Sequence, residues 1–458
     1  MKILLVNPAK YDDRGIRERY RFGTIPPAGL VLLASRAKRL RDVEVKIVDE
    51  WIEDVPFEEH FDLVGISTLF SATFPRVACI SKRFREKGIP VVLGGTHATC
   101  APSEGAAIAD SVILGEGEEL FEELLSDLLS GSGIKRQYKR DGFLDLEEEE
   151  YVEPDYSLLN LERYLRGPRS RTNIFPILTR RGCPMNCGFC SVHITGGRKT
   201  RYRPVGNVVK EILSHKRRYG ARYFGLYDDN LVLNPTKFGE LMVELKKLDI
   251  KFWCQISSTI VRRPEMIELL AEAGCVSALI GVESINRGSL EEVSKTFNDV
   301  SAYREMFGLF RKYKVTGMAS MIFGFDHDSE EMFSQSVSFL ESCKVPRALF
   351  NILVPFPGTR LHATMTAEGR VEETDLSLYD VAHVVFKPKL MTKEQLQEGF
   401  WRAYREFYRV GPIMRRLIRS GNSSRVYTLF GSLTFRRQIR KRIFPYNSGY
   451  RRVRLEGD

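Results

Sequence analysis

The chain has 458 residues, of which 43% are hydrophobic and 28% are charged, and its formal net charge is +10. This length predicts two or three domains, and the composition is typical of a globular protein rather than a disordered or collagen-like one. No apolar run of 18 residues occurs, which excludes a spanning helix, and the N-terminus shows no secretory cleavage signal. We therefore expect a cytoplasmic protein.

The positive charge is concentrated at the C-terminus. Residues 402–458 contain 15 Arg and Lys residues against 3 acidic ones, which leaves about −2 for the rest of the chain. Apolar residues are interleaved with these basic residues, namely Leu417, Ile418, Tyr427, Leu429, Phe430, Phe435 and Phe444. Three interpretations stay open: a tail whose apolar residues pack onto the body, peripheral contact with an anionic inner membrane face, and nucleic-acid binding. Nucleic acid is disfavoured, because the tail has no helix-turn-helix or zinc-finger pattern.

The first 130 residues alternate between short β-branched runs and amphipathic segments. The runs predict five strands, at Ile3–Val6, Glu44–Val48, Leu63–Ser67, Val91–Gly94 and Ser111–Ile113. Helices are predicted at Leu30–Arg39, Phe74–Lys87 and Glu119–Leu128. This order predicts a doubly wound, Rossmann-like parallel sheet over residues 1–130, with ligands at the carboxyl ends of its strands. Residues 131–172, which are rich in Gly, Pro and acidic residues, predict a linker with some local structure.

The alternation resumes after the linker and gives six more candidate strands. They are Ile174–Leu178, Tyr223–Tyr227, Trp253–Ile256, Val276–Ile280, Gly317–Phe323 and Leu349–Leu353. Helices are predicted at Val208–Tyr219 and Glu265–Ala273. Six βα units are too few for an eightfold barrel, so we expect a partial (β/α)6 barrel over residues 173–375, with its chemistry at the carboxyl ends of the strands. Residues 376–458 are predicted to be helical and, toward their end, basic.

Three of the eight cysteines form a tight cluster after the first strand of this second domain. Cys183, Cys187 and Cys190 have the spacing Cys-x3-Cys-x2-Cys, and no fourth cysteine lies near them in the sequence. Three thiolates can hold three corners of a metal centre. A four-iron cluster held in this way keeps one iron open, whereas a zinc site needs a fourth ligand, for which His193 is the candidate. The other five cysteines stand alone, as small buried thiols do in a reducing compartment.

This cysteine motif resembles the signature of the radical S-adenosylmethionine (SAM) enzymes. The resemblance implies that the three cysteines bind a [4Fe–4S] cluster, whose open iron binds SAM, and that Phe189 packs near the adenine. It further implies that residues at later strand ends contact SAM, and these are Asp228, Asp229, Glu283 and Gly324. An electron donor such as a flavodoxin or a ferredoxin would reduce the cluster.

Two Gly-containing turns follow predicted strands of the N-terminal domain, Gly94-Gly95-Thr96-His97 and Gly115-Glu116-Gly117-Glu118. Together they resemble the cobalamin-binding domain of the cobalamin-dependent radical SAM group. The resemblance implies cobalamin contacts from Thr68, Phe70, Ser71, Gly94, Gly95, His97, Gly115, Glu116 and Gly117. His97 has a second interpretation, as a structural loop residue. The Asp-x-His-x-x-Gly element that supplies a histidine ligand in methionine synthase is absent, which implies cobalt without a protein imidazole.

Two such cofactors in adjacent domains imply a C-methyltransferase, in which a radical derived from SAM activates a carbon and methylcobalamin supplies the methyl group. Residues 376–417, with Tyr379, His383 and Phe386, resemble members that act on hopanoids and bacteriochlorophyll precursors, which implies a hydrophobic small-molecule substrate. Cyclisation or rearrangement without methyl transfer is an alternative. A methylthiotransferase acting on transfer RNA is disfavoured, because that family carries three more N-terminal cysteines. A cobalamin or iron–sulfur sensor with a nucleic-acid-binding tail is the alternative outside enzymes.

Overall fold

Two parallel α/β units follow each other along the chain, and a set of helices follows the second. The structure is a computed structural model, and it describes residues 1–12, 14–20, 25–165, 174–419 and 422–445. Both predicted parallel sheets are present, and they follow each other along the chain as predicted.

The N-terminal sheet has six parallel strands in the order β2-β1-β3-β4-β5-β6. They are β1 (Lys2–Asn7), β2 (Glu44–Asp49), β3 (Leu63–Ser67), β4 (Val91–Gly94), β5 (Ser111–Leu114) and β6 (Gln137–Lys139). The helices are α1 (Ala28–Ala37), α2 (Phe74–Arg85), α3 (Thr96–Cys100), α4 (Pro102–Ile108) and α5 (Glu118–Leu129). The strand order reverses between β1 and β3, and a parallel sheet binds ligands at the carboxyl side of such a switch point.

The connection between the two sheets contains short elements of regular structure. Its first part forms β6 and extends the N-terminal sheet, and a short helix, α6 (Glu162–Leu165), lies near its end. Tyr138 is the one buried residue of the three in β6, so the strand has no apolar run that periodicity could detect.

The second sheet contains the six predicted strands and is an open barrel. Its order is β14-β13-β12-β11-β10-β7, with all neighbours parallel. These strands are β7 (Ile174–Ile177), β10 (Tyr223–Leu226), β11 (Lys251–Ser257), β12 (Cys275–Glu283), β13 (Thr316–Phe323) and β14 (Arg347–Ile352). A small antiparallel hairpin, which the sequence did not predict, comprises β8 (Arg180–Arg181) and β9 (Arg201–Tyr202).

Helices cover the outer face of the barrel and separate most of its strands. They are α7 (Val192–Thr195), α8 (Val205–Tyr219), α9 (Pro235–Lys246), α10 (Pro264–Glu272), α11 (Arg287–Glu292), α12 (Tyr303–Lys312), α13 (Glu331–Ser342) and α14 (Arg360–Ala367). The strand side chains that face these helices are buried, as Phe252, Cys254 and Ile256 show on β11. The barrel and the helices around it therefore share one continuous apolar core.

Three C-terminal helices continue the chain, α15 (Lys393–Phe407), α16 (Val410–Arg419) and α17 (Asn422–Ile439). Helix α15 packs against α13 and the edge strand β14. The Tyr404 hydroxyl bonds both the N–H (3.0 Å) and the carbonyl (2.9 Å) of Phe350, and Tyr408 does the same at Ala348 (3.1 and 2.7 Å). These hydroxyls cover backbone groups that an edge strand would otherwise leave exposed.

The apolar residues of the basic tail divide into two groups. Phe435 and Ile439 are buried, and Phe444 stacks near Phe400, which supports the interpretation that the tail packs onto the body. Phe430, in contrast, is 66% exposed. The predicted tail side chains of Ile418 and Tyr427 lie outside the described residues.

None of the helices in the described parts of the chain combines the length and the apolar character needed to cross a bilayer.

Candidate active site between two sheet edges

The three cysteines lie on a loop between β8 and α7 that is pinned to the barrel by backbone hydrogen bonds. Cys183 N–H donates to the carbonyl of Gly197 (3.0 Å), and Gly188 N–H donates to that of Val293 (2.9 Å). Gly182, at the start of the loop, has a φ of +84°, and a Cβ there would overlap the carbonyl oxygen of Lys199. The close approach of the two ends of the loop therefore requires glycine at this position.

The thiols of the loop lie in surroundings that suit metal binding. Cys187 is 8% exposed, and Cys183 and Cys190 are half-buried. Burial is the largest cause that raises the pKa of Cys187 and the pKa of Cys190, the latter to about 12. The Cys187 and Cys190 thiols are therefore protonated at neutral pH in the absence of metal, and binding a metal centre would release their protons.

The geometry bears on the two metal interpretations. Within the described residues, no group of three or more His, Cys, Asp and Glu side chains is placed so that it could hold a metal ion. A tetrahedral zinc site needs a fourth ligand beside the three thiols. A four-iron cluster attaches each cysteine to a different iron and needs only the three thiols of the loop.

A buried ion pair that the sequence did not predict supports the cysteine loop. Glu283 ends β12 with a φ of +61°, and its Oε1 pairs with Lys295 Nζ; both residues are 7% exposed. Burial alone would lower the pKa of Lys295, but the Glu283 carboxylate more than offsets this, and the pKa lies above its usual value. The Lys295 ammonium lies 5.8 Å from the ring centroid of Phe189, so the pair adjoins the loop.

Asp228 and Asp229, at the end of β10, have different surroundings. Asp228 is fully buried and accepts hydrogen bonds from Thr179 N–H (2.7 Å), Thr179 Oγ1 (2.6 Å) and Arg180 N–H (2.9 Å). The Asp228 carboxylate joins β10 to the β7–β8 connection, and its contact with SAM stays a prediction. Asp229 is exposed and close enough to influence the titration of Cys190, and desolvation raises the pKa of its carboxyl. Of the two, only Asp229 is accessible to a ligand.

Gly324, which follows β13, is covered by the C-terminal region. Its φ is +104°, and a Cβ would lie 2.9 Å from Leu396 and 3.1 Å from Phe386. Its N–H donates to Asp328 Oδ2 (3.0 Å). Glycine is needed here because Leu396 of α15 and Phe386 pack closely on the turn, and the contact of Gly324 with SAM stays a prediction.

At the carboxyl edge of the N-terminal sheet, the backbone of Gly95 lies close to that of Thr68, and exposed apolar side chains lie beside this contact. Gly95 has a φ of +110°, and a Cβ there would lie 3.2 Å from the backbone of Thr68. Leu69 and Phe70, which follow β3, are 52% and 58% exposed. A flat ring system with a polar tail fits such an edge, because the backbone of the glycine turn is accessible and the apolar side chains can cover a ring.

His97 is buried on α3 and has partners on both ring nitrogens. Nδ1 lies 3.0 Å from Ser71 Oγ, Nε2 lies 3.2 Å from Glu104, and the ring packs 4.3 Å from that of Phe74, centroid to centroid. Burial lowers the pKa of His97. These contacts favour the structural interpretation, in which the side chains of His97 and Ser71 hold the turn in place rather than contact a cofactor.

Glu116 was predicted to bind cobalamin, but its carboxylate joins the two domains. It pairs with Arg181 (3.1 Å) and Arg201 (2.8 Å) of the hairpin and accepts the N–H of Leu144 (2.7 Å). Arg181 also pairs with Glu118. Both oxygens of the Glu116 side chain are used in these ion pairs, and its contact with cobalamin stays a prediction.

The two glycines that flank Glu116, Gly115 and Gly117, have other surroundings. Gly115 has a φ of +84° and nothing within 4 Å of where a Cβ would stand. Gly115 and Gly117 therefore keep backbone that a cofactor can approach.

The carboxyl edges of the two sheets face each other. Helix α3, after β4, packs against α7, after the cysteine loop. A Cβ on Gly358, which follows β14, would lie 2.7 Å from the carbonyl oxygen of Cys100. The turn at Ser71–Thr73 packs against the turn at Leu376–Leu378. The cysteine loop and the glycine turns therefore border one shared cleft.

Comparison with known proteins agrees with this arrangement. The family model of the radical SAM superfamily matches residues 177–340, and that of the B12 binding domain matches residues 20–125. The chain is 32% identical over 399 residues to the bacteriochlorophyllide d C-12(1)-methyltransferase of Chlorobaculum tepidum, which covers 85% of this chain and 84% of that protein. The chain belongs to the cobalamin-dependent radical SAM methyltransferases. The predicted cofactors, a [4Fe–4S] cluster, SAM and cobalamin, are thereby confirmed.

Two further similarities extend over nearly the whole enzyme. The bacteriochlorophyllide d C-8(2)-methyltransferase of Chlorobaculum tepidum is 27% identical over 419 residues, 89% of this chain and 91% of that protein. The solved structure of TsrM from Kitasatospora setae, a radical SAM methyltransferase with tryptophan and a SAM analogue bound, superposes with a TM-score of 0.69 at 18% identity. It covers 96% of this chain and 97% of that one, which confirms the fold.

Proposed function

We propose that this methyltransferase acts on an unactivated carbon of a tetrapyrrole held in the cleft between the two sheet edges. The observation that carries the proposal is the 32% identity to a bacteriochlorophyllide methyltransferase over 85% of the chain. The exposed side chains of Leu69 and Phe70 beside the cleft support it, because a hydrophobic ring would cover both.

Each side of the cleft has a proposed role. When bound, the cluster with SAM supplies a carbon radical, and cobalamin supplies the methyl group. Cys183, Cys187 and Cys190 would hold the cluster, and Phe189 and Asp229 would contact SAM.

The remaining predicted residues would act around these contacts. Glu283, fixed by Lys295, would keep one carboxylate oxygen for a ligand, since its Oε1 is the atom in the ion pair. On the opposite edge, Phe70 and the backbones of Gly94, Gly95, Gly115 and Gly117 would border cobalamin. Thr68 and Ser71 would hold the turns in shape.

An anaerobic assay with SAM, a reductant, cobalamin and bacteriochlorophyllide d tests the proposal. We expect a product heavier by one CH2 unit, and labelled SAM should supply its label to that carbon. A product that is cyclised or rearranged without added carbon would favour the alternative reaction. A product from a hopanoid but from no tetrapyrrole would show that the substrate class is wrong.

We also propose that an acidic electron donor, such as a flavodoxin or ferredoxin, docks near the cysteine loop. Arg198 and Lys199, which follow α7, are exposed, and Arg198 donates to Asn186 Oδ1 of the cysteine loop (2.9 Å), so they offer positive charge beside that loop. Replacing both with glutamate should slow reduction by a flavodoxin but not by dithionite, which needs no docking. Equal slowing with both reductants would contradict the proposal.

We propose that the C-terminal helices contact an anionic membrane surface. Val410 and Met414 on α16, and Phe430 and Leu433 on α17, are 54%, 48%, 66% and 45% exposed, within the most basic part of the chain. Apolar insertion together with about 1 kcal/mol per engaged Arg or Lys gives salt-sensitive attachment.

Co-sedimentation with anionic vesicles tests this proposal. Phe430→Ser/Leu433→Ser should weaken it, whereas the control Val243→Ser, on a 51% exposed position of α9, should not. Displacement from the vesicles by transfer RNA at equal charge concentration would refute the membrane interpretation.

A further inference from the structure

Helix α14 contacts the cysteine loop at its middle, on the residue that follows Cys187. The Arg360 guanidinium lies against the backbone of Gly188, where a Cβ would stand 3.1 Å from its Nη2 and 3.3 Å from its Nε. The next residue of the helix, Leu361, donates its N–H to the carbonyl of Gly188 (2.9 Å). Because position 188 is a glycine, a charged side chain and the N-terminus of a helix reach the backbone between two of the thiols.

The same guanidinium has two hydrogen-bond partners, and both belong to the loop or to its support. Arg360 Nη2 donates to Ser294 Oγ (2.7 Å) and to the carbonyl of Asn186 (3.3 Å). Ser294 has a φ of +59° and follows Val293, whose carbonyl accepts the N–H of Gly188 (2.9 Å). Gly188 is thus held on one side by the turn after α11 and on the other side by α14.

Contacts from both domains fix the start of α14. Thr359 caps the helix, since its Oγ1 accepts the N–H of His362 (3.2 Å). One residue earlier, a Cβ on Gly358 would lie 2.7 Å from the carbonyl oxygen of Cys100, at the end of α3 in the cobalamin-binding domain. The backbone that carries Arg360 is therefore held by the barrel and by the opposite domain, which keeps the guanidinium at the cysteine loop.

The charge of Arg360 is not neutralised by a carboxylate. Among the residues that the structure describes, its guanidinium donates to a hydroxyl and a carbonyl but pairs with no Asp or Glu side chain. Lys295, which also adjoins the loop, is paired with Glu283, so that pair is neutral as a whole. Arg360 therefore adds a net positive charge beside the cysteine loop.

We propose that Arg360 is a positioning residue that holds the backbone of Gly188 and raises the reduction potential of the bound cluster. A four-iron cluster with three thiolates is negatively charged, and its negative charge grows by one unit on reduction, so a nearby positive charge favours the reduced form. Reduction transfers one electron from the donor to the cluster, and no bond to Arg360 forms or breaks. The proposal goes beyond the proposed function, because it holds for whichever carbon the enzyme methylates.

The test measures the midpoint potential of the cluster and requires no substrate. The enzyme, loaded with its cluster and cobalamin, is titrated anaerobically with dithionite and redox mediators, and electron paramagnetic resonance follows the reduced cluster. At the midpoint potential of the parent, we expect Arg360→Gln to lower the ratio of reduced to oxidised cluster by about three- to tenfold. A tenfold change corresponds to about 59 mV for a one-electron couple. The effect stays in this range because the Arg360 side chain is exposed and its charge is screened.

Two conservative variants separate the charge from its placement. Arg360→Lys keeps the charge and should restore most of the potential that Arg360→Gln loses. Ser294→Ala keeps the guanidinium but removes its 2.7 Å acceptor, so the potential should fall by less than in Arg360→Gln. The matched control is Arg304→Gln on α12, because Arg304 is also exposed and donates to the carbonyl (2.9 Å) and the Oγ (3.0 Å) of Ser342. The control should have the potential of the parent.

The sign of the shift distinguishes the proposal from a loss of structure. A loosened loop admits water, which favours the more highly charged, reduced form, so a merely structural effect would raise the potential. An unchanged or raised potential in Arg360→Gln at the iron content of the parent would overturn the proposal, as would an equal fall in the control. If Arg360→Gln loses iron, Ser294→Ala decides, and a potential equal to that of the parent in this variant would overturn the proposal. Because these titrations contain no tetrapyrrole, a failure of the proposed function is seen separately.

Discussion

Removing the charge of Lys295 tests how the cysteine loop is supported. Lys295 and Glu283 are both 7% exposed, and the loop residue Phe189 lies beside the ammonium group. Lys295→Met keeps the length of the side chain but leaves the Glu283 carboxylate buried without its partner. Breaking a buried pair in this way costs about 3–5 kcal/mol, so the free energy of unfolding should fall by that amount.

Anaerobic urea denaturation, followed by circular dichroism, measures this change. The double variant Lys295→Met/Glu283→Gln should lie within about 2 kcal/mol of the parent, because it leaves no charge buried. The control is Lys246→Met, which breaks a 2.9 Å pair with Glu272 whose side chains are 58% and 45% exposed. Its cost should be below about 1 kcal/mol. The reasoning is refuted if Lys295→Met costs no more than the control, or if the double variant is as unstable as the single one.

Three other changes give separate tests. Gly95→Ala should lower stability by about 1–3 kcal/mol and reduce cobalamin uptake, because the φ of +110° and the nearby Thr68 backbone exclude a Cβ; unchanged uptake on equilibrium dialysis would contradict this. Burial raises the pKa of Glu292 from 4.5 to about 7, which means that the folded protein favours the protonated carboxyl. The contribution of this group to the free energy of unfolding is therefore complete below pH 4.5 and is lost as the pH rises through 7. Glu292→Gln should therefore raise the urea midpoint at pH 8 but not at pH 4.5, and the reverse pattern would refute the assignment. Cys190→Ala should abolish iron retention on elemental analysis and Cys343→Ala should not, and equal iron in both variants would disprove the loop as the cluster site.

The strands were predictable where both faces of the sheet are covered. Leu63–Ser67 was predicted with the bounds that the structure has, because a buried parallel strand is a short apolar run between polar residues. β6 was missed, because an edge strand with one buried side chain has no such run. The C-terminal helices were predicted as a basic appendage, yet Tyr404 and Tyr408 complete the hydrogen bonding of β14. Composition does not reveal a pairing between residues that are about 55 positions apart in the sequence.

For the site, the sequence predicted which residue types lie at strand ends but not where each side chain points. Asp228 and Asp229 were both predicted as SAM contacts, although only Asp229 is exposed, since neighbouring positions at a strand end point in different directions. Lys295 was missed because its pairing with Glu283 depends on how the chain folds back after α11. The ion pairs of Glu116 were missed for a similar reason, because its partners come from a later hairpin.

The cleft is held at a fixed width, and this bears on which substrate it accepts. The Glu116 and Glu118 side chains that pair with Arg181 are 7% and 8% exposed, so these ion pairs lie inside the contact between the two domains. Gly358 and Cys100 approach each other so closely that even a methyl group would not fit between them. The edges therefore cannot separate or slide without losing both contacts, and we expect the cleft to select its substrate by thickness. A flat, rigid ring system meets that limit over its whole area, whereas a flexible open-chain lipid does not.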